Sequence, residues 1–124
     1  MARTFLFLGS INGLLAVMLG AFGAHVLKTR LTPEMMTIYH TGNQYHFYHA
    51  LGLLAVAILG IHWPTSVHLK WSGWLMFAGI IIFSGSLYAL SLTGLRWLGA
   101  ITPIGGVLFI AAWGLLAAAA LKAG

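Results

Sequence analysis

The sequence predicts an all-α integral membrane protein, an antiparallel four-helix bundle that forms one transmembrane domain over residues 1–124. Three observations carry that expectation. First, 60% of the residues are hydrophobic and only 6% are charged, whereas a soluble domain carries about a quarter charged residues. Second, four apolar stretches, approximately 4–27, 33–61, 71–92 and 97–121, each reach the roughly 20 residues a membrane-spanning helix needs. Third, the connections Lys28–Thr32, His62–Lys70 and Thr93–Arg96 are short, so successive helices run antiparallel.

The charges agree with this. Arg3, Lys28, Arg30, Lys70, Arg96 and Lys122 are scattered between apolar runs, as interface anchors are, and form no basic face for nucleic acid. Glu34 is the only acid. Without cysteine there is no disulfide, thiolate metal site or cysteine nucleophile. Basic residues divide three against three between the two membrane sides, so the positive-inside rule does not orient the chain. The terminal amine tips the reading toward an N-terminus inside.

The first stretch, Thr4–Leu27, ends in small residues like a signal peptide. It is longer than a signal core and reads as a retained helix. Gly9, Gly13, Ala16, Gly20 and Gly23 fall on one stripe that permits close helix approach, either within the bundle or between copies in a homo-oligomer. Asn12 beside it is expected to hydrogen-bond to a neighbouring helix. In the second stretch Thr32 can cap, Pro33 suits the first helical position and Glu34 suits the first turn. The helix from Pro33 to Ile61 exceeds the hydrocarbon thickness, so its first turns belong to the interface, with Gly42 as a bend. Trp63, Trp71, Trp74 and Trp97 mark helix ends; Trp113 reads as a packing residue. The fourth helix either starts at Pro103 capped by Thr102, or starts near Trp97 and kinks at Pro103. The apolar run Trp97–Ile101 favours the kink.

Antiparallel order places most polar side chains at one end of the bundle. The first helix contributes His25. The second contributes His40, Asn43, Gln44, Tyr45, His46, Tyr48 and His49. The third contributes Ser84, Ser86, Tyr88 and Ser91, and the fourth Thr102 beside Pro103. The opposite half offers little beyond Ser10, Asn12 and Ser72. Buried polar groups in lipid need partners. Four readings fit such a cluster: a histidine metal or haem site, proton-coupled carriage through histidine, a site for a lipid headgroup, quinone or similar amphiphile, and a hydrogen-bonded network that ties the helices together. Metal binding lacks an embedded carboxylate or cysteine. A catalytic triad lacks its acid, and Gly105-Gly106 lacks the lysine of a phosphate loop.

Four motifs resemble a known group. They are Leu19-Gly20-Ala21-Phe22-Gly23-Ala24-His25; Gln44-Tyr45 with Tyr48-His49-Ala50-Leu51; Phe83-Ser84-Gly85-Ser86-Leu87-Tyr88; and Thr102-Pro103-Ile104-Gly105-Gly106 followed by Trp113. Together they resemble the small membrane proteins of the domain of unknown function 423 family, related to eukaryotic transmembrane protein 256. The resemblance implies an integral four-helix protein of the bacterial inner membrane and supplies no activity. It singles out His25, Gln44, His49, Ser84, Ser86, Tyr88, Thr102 and Pro103, whereas His40 and His46 stand outside its pattern. The expected function is therefore non-enzymatic: structural, or binding membrane lipid or another amphiphile without metal or cofactor. A small carrier or channel using histidine protonation is the alternative. The expected cluster is His25, Asn43, Gln44, Tyr45, His49, Ser84, Ser86, Tyr88, Thr102 and Pro103.

Overall fold

A computed structural model describes residues 1–122. Helix α1 spans Ala2–His25 and is followed by a 3-10 turn, Leu27–Thr29. Helix α2 spans Pro33–His62. The Thr32 hydroxyl accepts the Met35 N–H at 3.2 Å, with Pro33 opening the helix and Glu34 in its first turn. Helix α2 is continuous through Gly42. Gly42 serves packing: a Cβ there would meet the Leu87 side chain at 3.0 Å.

Pro64 disfavours helical geometry at Trp63 and ends α2. Ser66 then caps α3, accepting the Leu69 N–H at 3.1 Å. The third helix therefore starts at Val67, not near Trp71. It has three continuous parts: α3 (Val67–Gly79), a π-helical segment (Ile80–Ser84) and α4 (Gly85–Thr93). Gly94 stops it with a left-handed φ of 75°, which glycine adopts without Cβ strain. In the fourth region the helix starts beside Pro103, within one residue of the first of the two sequence readings, with Thr102 itself helical. A 3-10 segment, Arg96–Ala100, precedes α5 (Thr102–Lys122). Pro103 lies in the first turn of α5, where its missing N–H costs no helical bond.

The four stretches Ala2–Thr29, Pro33–His62, Val67–Thr93 and Arg96–Lys122 are each long and apolar enough to cross a membrane. Their packing is antiparallel throughout. Against α2, Gly9 meets Leu54 and Gly23 meets Tyr39. Gly42 and Gly52 of α2 meet Leu87 and Met76. Gly79 meets Phe109 of α5, and Ser86 hydrogen-bonds to Thr102. Helices α1 and α5 are the outer members, packed mainly on α2 and on the α3–α4 unit respectively. The buried core joins Phe5, Leu53, Val56, Met76, Phe109 and Ala112 across them.

The small-residue stripe of α1 is occupied by α2. Gly9 and Gly23 are buried there, Gly20 abuts Asn43, and the Ala16 carbonyl accepts from Asn43. Of the four glycines, Gly13 alone has nothing within 4 Å of a Cβ position. In the central seam the buried Ser84 hydroxyl donates to the Gly42 carbonyl at 2.7 Å. Ser84→Ala should lower stability in detergent by about 1 kcal/mol, the scale of an interhelical hydrogen bond in membranes. Thermal unfolding followed by circular dichroism checks this; an unchanged midpoint would remove Ser84 from the forces holding the seam.

Candidate functional site

Two polar constructions meet on α2, on neighbouring faces of the same two turns. The first is a closed network between α1, α2 and α4. The buried His46 ring is bonded at both nitrogens: Nε2 lies 2.9 Å from Asn12 Oδ1, and Nδ1 lies 2.9 Å from the Tyr88 hydroxyl. Asn12 donates its own amide to the Leu8 carbonyl at 2.8 Å, so its oxygen is the acceptor toward His46. His46 therefore carries its proton on Nε2, and Tyr88 donates to Nδ1. Asn43 donates to the Tyr88 oxygen at 3.1 Å and to the Ala16 carbonyl at 2.8 Å. Tyr39 donates to the Leu19 carbonyl and packs its ring 5.2 Å from that of Tyr88. Among the described residues, no buried side-chain nitrogen or oxygen is left without a partner. In hydrocarbon that matters, since no water stands by to bond an orphan.

The second construction holds His49. Its Nδ1 donates to the Tyr45 carbonyl at 2.7 Å, one turn back. Its Nε2 accepts the Trp113 indole N–H at 3.0 Å. The ring lies flat on Phe109, with centroids 3.5 Å apart and planes 7° apart. Tyr45 stacks alongside His49 and packs its ring 4.7 Å from that of Phe83. The outer side of this assembly is a groove of about 700 Å³ between α2, the π segment and α5. Tyr45, Tyr48, His49, Phe83, Phe109 and Trp113 supply its aromatic walls, with Gly106 and Ile110 completing the lining. The π segment shapes one wall. Its wider turn brings Phe83 against Gly105, whose lack of a side chain admits it. Tyr45 and Tyr48 are partly exposed at the groove, and among the described residues their hydroxyls have no hydrogen-bond partner.

The expected cluster is thus only partly assembled. Asn43 and Tyr88 join the closed network; Tyr45 and His49 form the groove. Ser84 bonds to Gly42, and Ser86 to Thr102, as separate helix ties. His25, Gln44 and Pro103 are exposed and outside both constructions, because each points from the outer face of its helix. His40 is exposed as well. Nor is the bonded network confined to one half of the bundle: Asn12, from the opposite half of α1, is the partner of His46. Ser72 likewise bonds to the Ala112 carbonyl in that half, at 2.7 Å. Among the described residues, no three histidine, cysteine or acidic side chains come together as a metal would require.

His46, outside the family pattern, is buried and bonded at both nitrogens, whereas Gln44, inside it, is exposed. The signal was available in part, since His46 shares the buried stripe with Tyr39 and Ala50. Phe83, Phe109 and Trp113 were invisible as site residues because an aromatic in an apolar helix gives no sign of which cavity it lines.

Residues 19–106 match the family described as "Protein of unknown function (DUF423)". The chain is 53% identical to the UPF0382 membrane protein YwdK of Bacillus subtilis over 120 residues, covering 97% of this chain and 98% of the relative. It is 51% identical to a UPF0382 membrane protein of Staphylococcus epidermidis, covering 97% of each, and 48% identical to UPF0382 membrane protein SSP2132 of Staphylococcus saprophyticus, covering 97% of this chain and 98% of that one. No solved structure matches the chain.

Proposed function

The chain belongs to the DUF423 family of bacterial membrane proteins, whose name assigns no activity, and we propose that it binds a membrane-dissolved amphiphile in the aromatic groove between α2 and α5. The groove itself carries this reading. It combines apolar aromatic walls with two phenol hydroxyls that have no acceptor among the described residues. A hydroxyl in hydrocarbon gains from any acceptor brought to it. The ligand class that fits is a flat ring bearing carbonyl oxygens on an apolar tail, as in a quinone. Tyr45 and Tyr48 would donate to the carbonyls, and the ring would lie against Phe83, Phe109 and Trp113.

The closed Asn12–His46–Tyr88–Asn43 network is the scaffold beneath that site. It ties α2 to α1 and α4 on the neighbouring face of the same turns. Binding proceeds without chemistry: the only acid, Glu34, is at the far end of α2 in a 3.0 Å ion pair with Arg96 and supports no histidine as a base. Both nitrogens of His46 and of His49 are already engaged, which weighs against proton carriage through them.

The test is a titration of the detergent-solubilised protein with a short-chain decyl benzoquinone, followed by tryptophan fluorescence. Saturable quenching is expected, with Trp113→Phe removing most of it. Loss of one neutral hydrogen bond should weaken binding about 2–10-fold in each of Tyr45→Phe and Tyr48→Phe. Linear, non-saturating quenching that Trp113→Phe leaves unchanged would sink the proposal.

A further inference from the structure

The α2–α3 loop closes one end of the bundle, where α2 and α5 finish and α3 begins. A cavity of about 480 Å³ lies there, separate from the aromatic groove. His62, His68 and Lys122 line it, together with Trp63, Ser66 and Val67. We propose that this cavity binds a phosphate-bearing anion.

Three features support the assignment. All three ionisable side chains lining it are basic types, and none is an acid. The one acidic side chain among the described residues, Glu34, opens α2 at the other end and is held by Arg96. The α3 N-terminus adds donors. Ser66 takes the Leu69 N–H, but the first-turn N–H groups of Val67 and His68 have no carbonyl one turn back within the helix. The ends of α2 and α5 work the other way, since their terminal carbonyls repel an anion. Each of those helices carries a basic residue in its last turn, His62 and Lys122, to offset this. Trp63 beside the loop suits headgroup depth. A phosphate there would accept from an ammonium, two imidazoles and backbone N–H groups. The phosphate could come from an anionic lipid headgroup or from solution.

Two measurements on the full chain in detergent separate these sources. In native mass spectrometry with equal phosphatidylglycerol and phosphatidylcholine, preferential retention of phosphatidylglycerol is expected. The triple variant His62→Asn/His68→Asn/Lys122→Gln should lose that preference. A single fully charged group near a membrane surface is worth about fivefold, so Lys122→Gln alone should lower the preference by about that factor. The variant Lys28→Gln/Arg30→Gln, altered at the other end, should keep it. In the second arm, inorganic phosphate is added before thermal unfolding. Stabilisation of the wild type but not of the triple variant, without lipid preference, identifies soluble phosphate as the source. Neither lipid preference nor phosphate stabilisation in the wild type, or equal loss in Lys28→Gln/Arg30→Gln, overturns the proposal. The mutated side chains are outside the buried core, and unchanged far-ultraviolet circular dichroism verifies folding of each variant.

Discussion

Gly105→Ala is expected to destabilise the bundle by about 1–3 kcal/mol, the usual cost of forcing a methyl into a packed contact. A Cβ on Gly105 would fall on the backbone nitrogen and Cα of Phe83 and on its Cβ. No side-chain rotation relieves a clash with backbone. The π segment must move away from α5, and two features of the groove move with it: Phe83 leaves its wall, and the floor at Gly106 and Phe109 opens. Quinone quenching should therefore weaken together with stability. Gly114→Ala is the matched control. It makes the same change on the same helix at a position with nothing within 4 Å, and alanine is the better helix former by about 1 kcal/mol in water. Unfolding from mild detergent into dodecyl sulfate, followed by circular dichroism, measures both. Equal stability of the two variants would show that α5 and the π segment do not pack as closely as their glycine contact implies.

This contact marks the boundary of what the sequence discloses. Length and hydropathy are summed quantities, so the four spans, their antiparallel order and the Thr32-Pro33-Glu34 helix start could be read without tertiary information. The stripe of glycines on α1 could be read as a close approach, and it is one, onto α2. What could not be read was rotation. His25, Gln44 and His49 look equivalent along the chain, yet only His49 turns inward, because Phe109 and Trp113 from a distant segment receive it. The π segment was equally hidden. Ile80-Ile81-Ile82-Phe83-Ser84 has no proline or other breaker. Its wider turn is consistent with the tertiary fit of Ser84 to the Gly42 carbonyl and of Phe83 to Gly105. Asn12 was expected to bond to a neighbouring helix, and it does. Its partner emerged only when antiparallel packing set His46 beside it.

That pairing gives the other large effect. His46→Leu removes the group that joins Asn12 of α1 to Tyr88 of α4. The Asn12 amide oxygen and the Tyr88 hydroxyl are then left inside the bundle with no water to replace the imidazole. A buried polar group deprived of its partner costs about 1–3 kcal/mol; two lose one here, so about 2–6 kcal/mol is expected, toward the lower end because the Tyr88 oxygen still accepts from Asn43. The isosteric partner changes should cost less. Tyr88→Phe leaves His46 Nδ1 without its donor but keeps Nε2 bonded to Asn12. Asn12→Leu removes the acceptor and leaves the other side intact. The informative quantity is the coupling in the double variant His46→Leu/Asn12→Leu. If His46 and Asn12 act as one hydrogen-bonded pair, removing both should cost clearly less than the sum of the single changes, because the second change removes an orphan that the first created. Strict additivity would mean that the two side chains stabilise the bundle independently. The same variants separate the scaffold from the groove. His49 is held by Tyr45, Phe109 and Trp113 and by no member of the network. In Asn12→Leu, quinone binding should therefore persist while stability falls; in Gly105→Ala the two should fall together.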